Sequence, residues 1–138
     1  HSNKIITMAQ IILTPEESEK YFHNALCNAI GTGYMEQMSL ELCFDQNQYE
    51  TAKQNLVEQG KTGICYEDVL MQILKDGNTL TLLDQESDDE YKINLSDVHT
   101  KVSKTPFSHL TDMINEQDDA DTASVILQTV FCGEVIYG

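Results

Sequence analysis

Apolar positions along the chain recur at two periods, and the switches between them mark out the elements. Positions 21, 22, 25, 26, 29 and 30 share one helical face. Ahead of them, Thr14 can cap, Pro15 suits a first helical position and Glu17 completes a capping box, so a helix is expected over 15–30. Gly31 is its expected stop, and Gly31-Thr32-Gly33 its exit turn. Residues 34–44 end in alternation, with Met38, Leu40, Leu42 and Phe44 on one side and Ser39, Glu41 and Cys43 on the other, which predicts a half-buried strand. A helix from Asp45 or Asn47 to Glu58 shows only a thin apolar stripe (Tyr49, Ala52, Leu56, Val57) and closes at Gly60. Residues 66–76 predict another, with Val69, Leu70, Ile73 and Leu74 inward. Segments 79–83 and 90–95 flank a short polar link and read as a β-hairpin. Ser96 is the expected cap of a short helix through Val102, and Pro106 excludes its continuation. Phe107, Leu110, Met113 and Ile114 give a helix over 107–115. In the last helix, capped by Asp119 or Asp121, apolar residues fall on most sides, which predicts a central core helix. A short strand at 9–13 and a terminal strand or tail at 134–138 bracket the whole. The expected fold is α+β: a small, mainly antiparallel sheet of the 34–44 strand and the 79–95 hairpin, packed on helices 15–30 and 121–131.

Composition narrows the partners. The 138 residues carry 23 Asp+Glu against 8 Lys+Arg, a net charge of −15, with 41% hydrophobic positions. That length fits one domain, which hides roughly 68% of the surface its unfolded form exposes. The charge argues against unaided nucleic-acid binding and against docking on anionic membrane. No apolar run approaches the ~20 residues of a membrane span. His1-Ser2 looks like a tag remnant and Met8 like a natural start, so residues 1–7 are set apart from a domain over 8–138. Cys27, Cys43 and Cys132 sit among apolar neighbours and read as small buried hydrophobes; Cys65, in Gly63-Ile64-Cys65-Tyr66, is less telling. Free thiols in a reducing, cytoplasmic setting are expected.

Little points to catalysis or to a cofactor. His23 and Cys27 stand i, i+4 on a helix and could face one ion, but no Cys-x-x-Cys or His-x-x-x-His pair supplies further zinc ligands, and His99 and His109 are isolated. Asp84-Gln85-Glu86-Ser87-Asp88-Asp89-Glu90 opens like an EF-hand loop, yet Asp89 takes the glycine position and Leu95 the final glutamate position. There is no Gly-x-Ser-x-Gly, and Gly31-Thr32-Gly33 is too short for a phosphate loop. The expectation is a protein that is not an enzyme and needs no cofactor or metal.

The acid itself is the remaining feature. Glu16, Glu17 and Glu19 crowd a helix start, where the dipole favours them. Asp84, Glu86, Asp88, Asp89 and Glu90 gather at the hairpin tip. Asp112, Glu116, Asp118, Asp119 and Asp121 gather before the last helix. Such groups serve solubility, or they present carboxylates to a surface built for phosphates.

The segment Asp118-Asp119-Ala120-Asp121-Thr122-Ala123-Ser124-Val125-Ile126-Leu127-Gln128-Thr129-Val130-Phe131-Cys132-Gly133-Glu134-Val135-Ile136-Tyr137-Gly138 resembles the C-terminus of small phage and mobile-element proteins ending Asp-Ala-x-x-Ala-Asp…Phe-Gly-Glu-x-x-Tyr-Gly. Ser124 replaces an acid of that pattern, and Phe131 falls one residue early. Asn24-Ala25-Leu26 through Gly33-Tyr34, and Gly77-Asn78-Thr79-Leu80-Thr81, fit the same group. The resemblance implies a bacterial host cell and, with the charge, an anti-CRISPR-like inhibitor that mimics nucleic acid and binds a basic defence nuclease. The alternatives are a pocket protein for a nucleotide signal, with Lys53, Lys61, Lys92, Lys101 and Lys104 as inward cations, and an accessory protein without a defence role.

Overall fold

In the computed structural model, which describes residues 11–136, the helix α1 (Pro15–Gly31) starts where its capping box is made. Glu17 N–H donates to Thr14 Oγ1 at 3.1 Å, and Thr14 N–H donates to Glu17 Oε1 at 2.8 Å. Its inner face buries Ser18, Phe22, Ala25, Leu26 and Ala29. Gly31 stays helical; the chain turns instead at Gly33, whose φ of 73° is left-handed. There a one-turn helix, α2 (Tyr34–Gln37), occupies the first part of the expected 34–44 strand. Tyr34, Met35 and Met38 fit a helical turn as well as an alternating pattern, so this stretch is too short to fix the period. Ser39, at φ 58°, ends the turn, and the strand β1 runs only over Leu40–Cys43.

β1 pairs antiparallel with β2 (Leu80–Asp84), which pairs antiparallel with β3 (Asp89–Ile93), in the order β1-β2-β3. Opposed residues share a face. Leu40, Leu42, Leu80, Leu82, Asp84, Asp89, Tyr91 and Ile93 therefore line the inner face, and Glu41, Cys43, Thr81, Leu83, Glu90 and Lys92 the outer one. Between β1 and β2 lie α3 (Gln46–Glu58), capped by Asp45 and burying only Ala52 and Leu56, and α4 (Tyr66–Lys75), which buries the run Val69–Leu74. After β3, Asn94 caps α5 (Leu95–Lys101), not Ser96. Asn94 Oδ1 accepts from Asp97 N–H at 3.0 Å and Asp97 Oδ2 accepts from Asn94 N–H at 2.9 Å, a reciprocal pair that Ser96, two residues later, does not match. A 3₁₀ turn (Val102–Lys104) and α6 (Phe107–Ile114) lead to α7 (Ala120–Cys132).

α7 is the centre of the fold. Every residue from Thr122 to Phe131 is buried, Asp119 caps its start and Gly133, at φ 81°, its end. It packs along α1, with Phe22 and Phe131 ring centroids 6.0 Å apart, and against α5, α6 and β3. Gln128 is the largest polar side chain buried on this helix: its Nε2 donates to Ser124 Oγ at 2.9 Å and its Oε1 accepts from Ile136 N–H at 2.7 Å. The architecture is α+β, as expected. The strand expected at 9–13 is absent from residues 11–13, and positions 9 and 10 lie outside the described residues. Residues 134–136 form no strand, and positions 137 and 138 also lie outside. Among the described residues, no helix is long and apolar enough to cross a membrane.

Candidate functional site

The hairpin sorts its acids by register. Asp84 follows Leu80 and Leu82 at period two, so it points inward and is only 3% exposed. Its Oδ1 accepts from Glu86 N–H at 3.0 Å, and its carbonyl accepts from Asp88 N–H at 2.7 Å. Asp84 therefore shapes the turn from inside and does not belong to the acidic surface assigned to it from sequence. Glu86, Asp88, Asp89 and Glu90 are exposed, and Asp88 takes a left-handed φ of 61°. Two further acids join them. Glu41 lies across Leu83 from Glu90 on the outer face, and both charges act on Cys43, whose thiol burial and these two acids push up. Glu134, just past α7, acts on Cys132 and Tyr91; burial raises both of those groups. Among the described residues, no cationic group lies within 4 Å of Glu41, Glu86, Asp88, Asp89, Glu90 or Glu134.

The second predicted acidic group is largely occupied. Asp112 is half-buried on α6, and Glu116 is exposed at a left-handed turn. Asp118 Oδ2 accepts from Asn28 Nδ2 at 2.9 Å. Asp119 Oδ1 accepts from Thr122 N–H at 2.9 Å, and that bond holds its carboxyl below the usual range against a small effect of burial. Asp121 Oδ2 stands 4.0 Å from His109 Nε2, and its Oδ1 accepts from Tyr34 OH at 3.5 Å. The two groups sit at opposite ends of α7, about 20 Å apart at 1.5 Å per residue.

A different cluster lies where α1 crosses α4. Glu19, His23 and Cys27 form one stripe of α1 at i, i+4 and i+8. Glu19 meets Lys75 of α4 at 3.4 Å and His99 of α5 at 2.7 Å. His23 Nε2 meets Asp68 Oδ1 at 2.8 Å. Asp68 Oδ2 accepts from Cys65 N–H at 3.1 Å, and Cys65 is the N-cap of α4. Burial opposes ionisation of Asp68, but its bonds to Cys65 and His23 outweigh it and hold the carboxyl low. His23 and Asp68 line a cleft of about 570 Å³ with Glu16, Glu19, Lys20, Lys61 and Lys75. Of the lysines expected to turn inward, only Lys61 reaches this cleft. Lys92 borders a separate groove on the outer face of the sheet, Lys101 pairs with Asp97 at 3.3 Å, and Lys53 and Lys104 are exposed.

Cys27, His23 and Asp68 stand in the order of a thiol-imidazole-carboxylate relay, but the geometry does not make a nucleophile. Cys27 Sγ lies 3.7 Å from Nδ1 and 3.9 Å from Nε2, so it sits beside the ring and off the lone-pair axis of either nitrogen. Burial, then the charges of Glu67, Cys65 and Asp68, pushes this thiol up to about 11. All four cysteines are free; Cys27, Cys43 and Cys132 are half-buried rather than core, and Cys65 is exposed. The i, i+4 pair of His23 and Cys27 is visible in the sequence; Asp68, and Cys65 as its neighbour in the cluster, join that pair only in the fold. Their signal is a Cys-x-x-Asp at a helix start. No protein-family model, curated protein or solved structure matches the chain.

Proposed function

We propose that the chain is a non-enzymatic binding protein whose acidic hairpin docks on a strongly basic protein surface, and that its partner is a nucleic-acid-processing enzyme of a bacterial host, in the manner of an anti-CRISPR inhibitor. The observation that carries this reading is the concentration of exposed acid at the hairpin end. Six exposed carboxylates from β1, the turn, β3 and the exit of α7 gather at one end of the sheet, and among the described residues none of them makes an ion pair; Lys92, two residues beyond Glu90 on the outer face, is the one lysine on the three strands. Repulsion among like charges costs stability, and an opposing basic surface relieves it. Glu41 and Glu90 are two strand spacings apart, about 10 Å, so the row is broad enough to span a groove shaped for phosphates. The second acidic group supports this reading less, because Asp118 and Asp119 are committed to Asn28 and to the cap of α7. The nucleotide-pocket alternative is weaker still: in the cleft, Lys75 already meets Glu19, and Glu16 and Asp68 stand beside the remaining lysines.

The test is capture from a bacterial lysate with the native chain and with a variant carrying Glu86→Lys, Asp88→Asn and Asp89→Lys. Asparagine is used at 88 because it tolerates the left-handed backbone there. The native chain should retain a basic nucleic-acid-binding protein that duplex DNA displaces and that salt releases steeply. The variant should melt at the native temperature and lose that protein. Equal capture by both chains, or capture indifferent to DNA, rejects the reading.

A further inference from the structure

The acidic-surface reading leaves unused a set of metal donors where α1 meets the start of α4. One donor atom each from His23, Cys65 and Asp68 lies within 4.8 Å of the others. Cys27 stands just outside that group, a second sulfur one turn along α1 at 3.7 Å from His23 Nδ1 and 3.9 Å from Nε2. We propose that His23, Cys27, Cys65 and Asp68 form a four-ligand site for a borderline-soft divalent cation, with Zn²⁺ the best match.

The spacing suits that ion. Zinc bonds of about 2.0–2.3 Å in a tetrahedron place neighbouring donors roughly 3.3–3.8 Å apart. The His23–Asp68 contact of 2.8 Å and the Cys27–His23 contact of 3.9 Å bracket that edge. The three grouped donors need the least movement to share one ion; Cys27, beside the His23 ring, must turn its sulfur toward Nε2 to complete the set. The donor types suit it too. Two sulfurs, an imidazole and one carboxylate select against calcium and magnesium, which take oxygen. Part of the geometry is already set. The capping interaction with Cys65 N–H holds one Asp68 oxygen and leaves Oδ1 facing His23, and helical spacing fixes His23 against Cys27. Access is open: Cys65 is exposed, and His23 and Asp68 border the cleft. Binding releases the two thiol protons to solvent, leaves Cys27 and Cys65 as thiolates on the ion, and requires the neutral His23 ring to carry its proton on Nδ1 so that the Nε2 now facing Asp68 is free to ligate. An ion held this way clasps α1 to α4 beside the His23–Asp68 and Glu19–Lys75 pairs. The site is distinct from the acidic hairpin in residues and in donor chemistry.

Cobalt titration of the whole chain, under a non-chelating reductant, tests this directly. One equivalent of Co²⁺ should give intense tetrahedral visible bands and a thiolate-to-cobalt charge-transfer band, and Zn²⁺ should displace it. Cys65→Ser and His23→Gln should each weaken binding by about 100-fold or more, Cys27→Ser should reduce the charge-transfer intensity, and Cys43→Ser should change nothing. On the native chain, Zn²⁺ should protect Cys27 and Cys65 from alkylation and leave Cys43 unprotected, which needs no variant to fold. Absence of a charge-transfer band at saturating cobalt overturns the site, as does alkylation of Cys65 at the same rate with and without zinc. A spectrum unchanged by Cys27→Ser overturns the four-ligand assignment. Cobalt binding lost only with Glu86→Gln and Asp89→Asn would place the ion on the hairpin and also overturn it.

Discussion

Asp119 separates the acid that folds the chain from the acid left for a partner. Its Oδ1 accepts from Thr122 N–H at 2.9 Å, with the residue itself extended at φ −124° and ψ −172°. Asp119→Ala removes both the acceptor and the charge, whereas Asp119→Asn keeps the acceptor and removes only the charge. Loss of an N-cap acceptor costs about 1 kcal/mol, within a range of roughly 0.5–2. The upper half of that range is expected here, because the first turn it holds carries the buried Thr122 and Ala123 into the core. The charge against the helix dipole accounts for only ~0.3–1 kcal/mol. For a chain of this size, 1 kcal/mol moves the melting temperature by roughly 3–5 °C. Asp119→Ala should therefore lower it by about 5–8 °C, and Asp119→Asn by about 1–4 °C.

Acid should erase part of this difference. The Thr122 N–H is the largest cause of the low Asp119 carboxyl, with burial opposing it. A carboxyl depressed in the folded state contributes stability that is fully present above its unfolded value, about 3.9, and is lost as pH falls through the folded value. The gap between native and Asp119→Asn chains should hold from pH 7 to about 5 and close below pH 4. Thermal melts by far-UV circular dichroism across that range provide the measurement. If Asp119→Asn destabilises as much as Asp119→Ala at neutral pH, or if the gap widens on acidification, the capping bond is not what stabilises α7.

Three further outcomes are expected. Gln128→Ala should cost about 2–4 kcal/mol in chemical denaturation, since it opens a cavity at a residue only 1% exposed and strips the partners of Ser124 and Ile136 N–H; a loss under 1 kcal/mol would show that this network is incidental. With thiol reagents at pH 7, exposed Cys65 should react first, while Cys27 and Cys132, both pushed up to about 11, hold a thiolate fraction of only roughly 10⁻⁴; fast labelling of Cys27 in the native chain contradicts the packing described. Zinc at 100 times its dissociation constant should add about 2.7 kcal/mol of stability, seen as a rise in melting temperature that Cys65→Ser abolishes.

How far the fold was legible depends on how many residues vote on each period. α1, α4 and α7 are long enough for helical spacing to be unambiguous, and Thr14, Cys65 and Asp119 stand where each begins. The segment 34–38 has only three apolar residues, and one turn of helix satisfies them as well as a strand does; Gly33 and Ser39, both left-handed, decide it by setting where the chain bends. The cap of α5 fell to Asn94 because its pairing with Asp97 serves two backbone groups at once. Asp84 is legible from its strand position alone. Its identity suggested the surface, but its parity with Leu80 and Leu82 places it inside, and in a strand parity outweighs polarity wherever the group finds a donor such as Glu86 N–H.

The two candidate sites differ in legibility for a reason that also separates their chemistry. Acid on a hairpin is local: the residues are adjacent in sequence, and folding adds only Glu41 and Glu134 to them. The donor cluster is not local, since His23 and Asp68 are 45 residues apart and meet only because α1 and α4 both bury their apolar faces in the same core. Each half is unremarkable alone: a histidine one turn before a cysteine, and a cysteine ahead of a capping carboxylate. Three of the eight lysines border the cleft beside this cluster, and among the described residues none forms an ion pair with the hairpin acids. Among the described residues the charge is therefore uneven, mixed with cations on the α1–α4 side and, at the hairpin end, accompanied only by Lys92 on the strands. The proposed basic partner, approaching from solution, would be oriented toward the hairpin by that asymmetry. An ion bound by His23, Cys27, Cys65 and Asp68 would sit outside that contact and leave the hairpin free to dock.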